Sequence, residues 1–146
     1  MIDFTIDTRI DRSPEEVFDY VTDPDKLATW QTNTVSAVRQ DEGPMRLGSR
    51  LAEVHSGPGG KEFESVVEVV EYERGRAFAL KVVEGDLPVD LQVTFEAAGS
   101  GTVMRFRGHG HATGAMRLAQ PVLQRVLKRQ FTGQCNTLRQ VMEGSG

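Results

Sequence analysis

Polar and apolar positions in this chain alternate, shift to helical spacing, alternate again for most of its length, and end in a second helical stretch. "DFTIDTRI" places Phe4, Ile6 and Ile10 on one face and Asp3, Asp7 and Arg9 on the other, which predicts a half-buried strand. In "RSPEEVFDYVTD", Ser13 reads as an N-cap, Pro14 as the first helical residue, and Glu16 closes a capping box. Val17, Phe18 and Val21 then give that short helix its apolar stripe. "DPDKLATW" predicts a second short helix, capped near Asp23 or Asp25 and ending at Trp30.

The next stretch reads as strands divided by turn chemistry. "TVSAVRQ" runs to "DEGP", "SRLAEVHS" to "GPGG", "KEFESVVEVVEYE" to "RGR", "AFALKVVE" to "GDLP" and "VDLQVTFEA" to "AGSG", and "TVMRFRGHGH" is last. Connections this short make hairpins, so the strands form an antiparallel meander of about seven strands once the first is added. Phe63, Phe78, Leu80, Leu91, Val93, Phe95, Met104 and Phe106 follow period-two faces and read mainly as core.

From about Ala115 to Met142 the pattern predicts one long helix, with Pro121 either kinking it or setting off a short lead-in. Helical projection gathers Val122, Leu123, Val126, Leu127, Phe131, Leu138, Val141 and Met142 into one arc, opposite Arg125, Lys128, Arg129, Thr132, Asn136 and Arg139. Gln130 and Gln134 interrupt the arc. Inward-facing amides need partners, at a cost of about 1–3 kcal/mol each if left without them. The element order predicts an α+β fold in which a curved sheet grips one terminal helix and leaves a space between them.

Length and charge narrow this picture. The 146 residues fit one domain, 1–146, with a core of its own. A formal charge of −4 argues against general affinity for nucleic acid or anionic membranes, and no apolar run is long enough for a membrane span. "MIDFTIDTRI" lacks the basic-then-apolar order of a signal peptide. With Cys135 as the single cysteine, no intrachain disulfide forms, and a reducing cytoplasm is the expected setting.

Motif chemistry is sparse. "RFRGHGHATG" carries His109 and His111 on one strand face, but Arg105 and Arg107 share that face, so an exposed strand end is expected rather than a metal site. Gly108 and Gly110, on the inward side, read as room for a bend or a crossing helix. No strand follows the last helix, which removes a dinucleotide fold. "GPGGKE" has His55 and Glu62 where a phosphate loop needs glycine and a hydroxyl, so it reads as a turn. Cys135 reads as a packing residue. Glu53 and His55 share a face of an ambiguous strand; solvent exposure is expected for both, and an acid–base role requires that face to be inward. Trp30 either closes one end of the core or lines a ligand space. No motif calls for a cofactor or a metal.

Taken together, "IDRSPEEVFDYVTDPDKLATW", the glycine in "LGSRL", "VVEVVEYERGRAFAL" and the closing "LKRQFTGQCNTLRQVME" resemble the polyketide cyclase/dehydrase and lipid-transport group of the START/Bet v1-like (SRPBCC) superfamily. The resemblance spans nearly the whole chain, with "RG" where a "PP" turn is usual after "EYE". It implies a helix-grip fold enclosing a cavity for a hydrophobic or amphipathic small molecule such as a lipid, quinone or polyketide. The implied contacts are Trp30, Phe63, Phe78, Phe106 and Phe131, with Gln130 and Gln134 as neutral hydrogen-bonding groups. The resemblance carries over no catalytic residue. Its alternatives are an aromatase/cyclase using Glu53 or His55, and a ligand-free interaction module like the superfamily's chaperone regulators.

Overall fold

A computed structural model describes residues 1–56, 60–85, 89–110 and 114–144, so parts of the "GPGG" and "GDLP" turns and His111 lie outside the described residues. Seven strands form a single antiparallel sheet in the order β1-β7-β6-β5-β4-β3-β2. They are β1 (Ile2–Ile10), β2 (Thr34–Arg39), β3 (Arg50–Ser56), β4 (Glu62–Glu73), β5 (Ala77–Gly85), β6 (Asp90–Ala98) and β7 (Gly101–Gly110). Two short helices, α1 (Pro14–Val21) and α2 (Leu27–Trp30), follow β1, and α3 (Gln120–Gly144) comes last. Irregularities in β2 at Thr34/Ser36 and in β4 at Val66/Val67 and Val69/Glu71 bend the sheet, as extra residues in one strand of a pair do.

The local signals act as read. The Ser13 hydroxyl accepts from the Glu16 N–H while the Glu16 carboxylate accepts from the Ser13 N–H, which closes the capping box. Pro121 sits in the first turn of α3, where its missing N–H costs nothing, behind a 3₁₀ lead-in at Gly114–Ala119. Residues Ile2, Phe4, Ile6, Thr8 and Ile10 all turn inward from β1.

Helix α3 is pinned along β1. The Asp3 N–H donates to Gln124 Oε1 (3.2 Å) near one end and the Asp11 N–H to Glu143 Oε2 (2.9 Å) at the other. Between them Phe4 stacks on Phe131 at 5.6 Å, and Phe106 meets the same ring at 5.1 Å. The contacts of α3 concentrate on β1 and α2. The middle strands on the far side of the sheet therefore lie under no helix along part of their length.

Gly108 makes the Phe4–Phe131 contact possible. A Cβ at that position would lie 2.4 Å from the Phe4 ring, so the glycine makes room for a ring from the neighbouring strand. Gly108→Ala is expected to displace Phe4 and cost about 1–3 kcal/mol, as overpacking does, measured by urea unfolding. A loss under about 0.5 kcal/mol would show that the ring moves freely.

The other end of the interior is solid. Phe18, fully buried on α1, meets Tyr72, Phe78 and Phe95 edge-on at 5.1, 6.2 and 5.3 Å. Leu138 and Met142 of α3 join the same core, and buried Cys135 packs beside them. Burial pushes the Cys135 thiol up to about 11, which keeps it a thiol at neutral pH.

Candidate ligand-binding cavity

Where α3 runs from β1 towards α2, the uncovered middle of the sheet becomes the floor of a cavity of about 1350 Å³. This exceeds the roughly 300–1,000 Å³ usual for small-molecule sites. Its wall is largely apolar: Leu27 and Trp30 from α2, Val67, Phe78, Leu80, Leu91, Val93 and Phe106 from the sheet, and Leu123, Val126, Leu127 and Phe131 from α3. The pleat explains the sheet's contribution, since alternate residues of β4 to β7 face inward together. Phe63, Val122 and Val126 line the cavity yet are 40%, 60% and 52% exposed, which marks its opening.

This corrects the helical projection. Val122 and Val126 belong to the apolar arc but are not buried, because α3 is held to β1 and α2 and that turn faces the opening rather than packed sheet. Phe63 departs from the core reading for the same reason: it sits near the start of β4, at the rim of the cavity.

Six of the seven residues named from sequence line the cavity: Trp30, Phe63, Phe78, Phe106, Gln130 and Phe131. Gln134 does not. It is buried at 3% exposure, and its Nε2 donates to Asn33 Oδ1 at 2.8 Å, which ties α3 to the start of β2. Asn33 itself lines the cavity, so Gln134 stands behind the wall.

The expectation of exposure for Glu53 and His55 is overturned. Both line the cavity, with side chains 6% and 14% exposed, and His55 Nε2 lies 3.0 Å from Glu53 Oε1. The strand reads ambiguously because its inward face, Leu51-Glu53-His55, is more polar than a core face should be. Register with the neighbours decides it: Glu53 pairs with Ser65, and His55 with Phe63 and Thr34. Trp30 is both core and lining, almost fully buried with its Nε1 lacking a partner among the described residues. Ser65 Oγ is likewise buried without a partner among them. Arg125, Lys128 and Arg129 bring positive charge to the helix side of the cavity, and Glu64 a negative charge on β4.

The outer face of β7 carries different chemistry. Arg105 and Arg107 hold Asp7 and Asp3 in two-point hydrogen bonds, which keep both carboxyls below the usual carboxylate range. His109 lies on that face opposite Asp3 and Asp90, half-buried rather than fully exposed, with Nδ1 shielded. No group of three metal-ligating side chains forms among the described residues.

A bent antiparallel sheet closed by one long helix over an apolar cavity defines the helix-grip class of ligand-binding domains. The sequence match is more specific: residues 1–143 fit the polyketide cyclase / dehydrase and lipid transport family, and the chain belongs to it. No protein with a curated description matches the chain. Among solved structures, a START superfamily protein from Mycobacterium smegmatis aligns over 100% of both chains, with 11% identity and a TM-score of 0.86. TTHA0849 from Thermus thermophilus aligns over 99% of both, with 17% identity and a TM-score of 0.84. The di-domain ARO/CYC StfQ from the steffimycin biosynthetic pathway aligns over 99% of this chain and 51% of its own, with 16% identity and a TM-score of 0.81. At these identities the likeness is one of fold.

Proposed function

We propose that this protein binds a hydrophobic or amphipathic small molecule of the lipid, quinone or polyketide kind in the cavity between sheet and α3, and carries or senses it. The observation behind this reading is the cavity itself, about 1350 Å³ of space walled by aromatic and aliphatic side chains. A largely apolar cavity open at its rim holds water that an apolar ligand displaces, and burying apolar surface in this way is favourable. The family's description and the START and ARO/CYC folds support the same ligand class.

An acid–base enzyme would use the Glu53–His55 pair. Both nitrogens of His55 are already engaged, with Glu53 at 3.0 Å and the Thr34 hydroxyl at 3.4 Å, and this arrangement favours binding over turnover. The reading is tested by purifying the protein without detergent, extracting it with organic solvent and analysing the extract by mass spectrometry beside a control protein. A hydrophobic molecule in near-stoichiometric amount is expected. An extract matching the control, together with no calorimetric binding of an apolar probe such as 2-methoxynaphthalene, would overturn the reading.

A further inference from the structure

We infer that Glu53 and Ser65 form a hydroxyl-recognition site at one pole of the cavity, and that the ligand presents a neutral alcohol or phenol group there. The inference deepens the binding reading above and rests on it. Glu53 and Ser65 are directly paired across β3 and β4, and both are at least nine-tenths buried in the wall of the cavity. Residues paired this way hold their Cβ atoms about 4.5–5.5 Å apart, which brings both side chains within reach of one small group.

The polar valences at this pole are unevenly used. Glu53 Oε1 takes the His55 bond, and Oε2 takes no hydrogen bond from any described residue. Ser65 Oγ has neither a donor nor an acceptor opposite it among the described residues. A hydroxyl left unmatched in an apolar wall is costly, and buried polar groups in native proteins are nearly always satisfied; Glu53 Oε2 is not among the shielded, unpartnered atoms and keeps open surface at the cavity. A ligand O–H donates to Glu53 Oε2, and a turn of the Ser65 side chain, whose Oγ is shielded from the cavity in this rotamer, lets its hydroxyl donate to the same ligand oxygen.

His55 is a positioning residue. Its Nε2 lies 3.0 Å from Glu53 Oε1 and its Nδ1 3.4 Å from Thr34 Oγ1. This chain fixes the carboxylate from behind and leaves its other oxygen for the cavity.

The surrounding charges select against the alternatives. A ligand carboxylate or phosphate at this pole would meet the Glu53 carboxylate at contact distance. An ammonium would enter a cavity whose helix wall carries Arg125, Lys128 and Arg129, with Glu64 the other acidic lining residue. A ketone or ether accepts but does not donate, and leaves Glu53 unmatched. A neutral hydroxyl fits each group present.

The test compares 2-naphthol with its methyl ether, 2-methoxynaphthalene, by titration calorimetry of the wild-type protein and of Glu53→Leu, Glu53→Gln and Ser65→Ala. The wild type is expected to bind 2-naphthol at least about tenfold more tightly than the ether, the size of one hydrogen bond to a charged group. Glu53→Leu should bind both probes alike. Glu53→Gln, close in shape and so the safer variant for folding, should reduce the preference to a few-fold, and Ser65→Ala should reduce it as well. Equal binding of the two probes to the wild type, or an unchanged preference in Glu53→Leu and Glu53→Gln, would overturn the hydroxyl site and leave the cavity reading standing. Failure of both probes to bind the wild type would overturn the hydroxyl site, and together with a solvent extract matching the control would overturn the binding reading as well.

Discussion

Truncating Phe18 to alanine is expected to lower the free energy of unfolding by about 3–5 kcal/mol, the usual range for a fully buried phenylalanine. The reason is its place in the core. One ring from α1 meets rings of β4, β5 and β6, so its loss opens a hole walled by Tyr72, Phe78 and Phe95, which are fixed to three strands and have little freedom to close it. Domains of this kind hold only about 5–15 kcal/mol of net stability, so the variant should melt many degrees lower and unfold at visibly lower urea. Denaturant unfolding followed by circular dichroism measures the loss. A change below about 1.5 kcal/mol would mean that α1 is not a fixed part of the core. Binding should survive in the fraction still folded, because Phe18 does not line the cavity.

Filling the cavity should have the converse effect. Leu80 and Leu91 are cross-strand partners on β5 and β6, and both line the floor. In the double variant Leu80→Trp/Leu91→Trp, two indoles occupy space that a ligand needs. Binding of 2-methoxynaphthalene is expected to weaken by more than about tenfold, the equivalent of roughly 1.4 kcal/mol. Stability should change little or rise, since the added rings enter a void rather than a packed core. Calorimetric titration beside thermal unfolding separates the two quantities. Undiminished binding would place the ligand elsewhere on the protein. Lost binding with lost structure would show that this part of the interior is packed more tightly than its volume indicates.

Much of the architecture can be read from local pattern. The strands announce themselves by period two, α1 by Ser13, Pro14 and Glu16, and α3 by its length and apolar arc. Most of the cavity wall follows from the same pattern, because Phe78 and Phe106 must face the helix if the sheet has one buried side. The polar pole does not. On β3 the inward positions include Glu53 and His55 and the outward ones Ala52 and Val54, so a rule that places apolar residues inside cannot choose between the two faces. Gln134 and Asn33, 101 residues apart, find each other only in the folded chain. Val122 and Val126 look like core to a projection that assumes the whole arc of α3 is covered.

The sequence by itself determined the elements, their order, the antiparallel meander and the family, because periodicity, capping and turn chemistry depend on residues within a few positions of one another. The tertiary structure alone decided that β3 turns its carboxylate and imidazole inward, that α3 is pinned to β1 and α2, and how large the space beneath it is and where it opens. A cavity is the volume left between elements distant in the chain, and it depends on register and on helix placement. Neither quantity is carried by the period of a single segment.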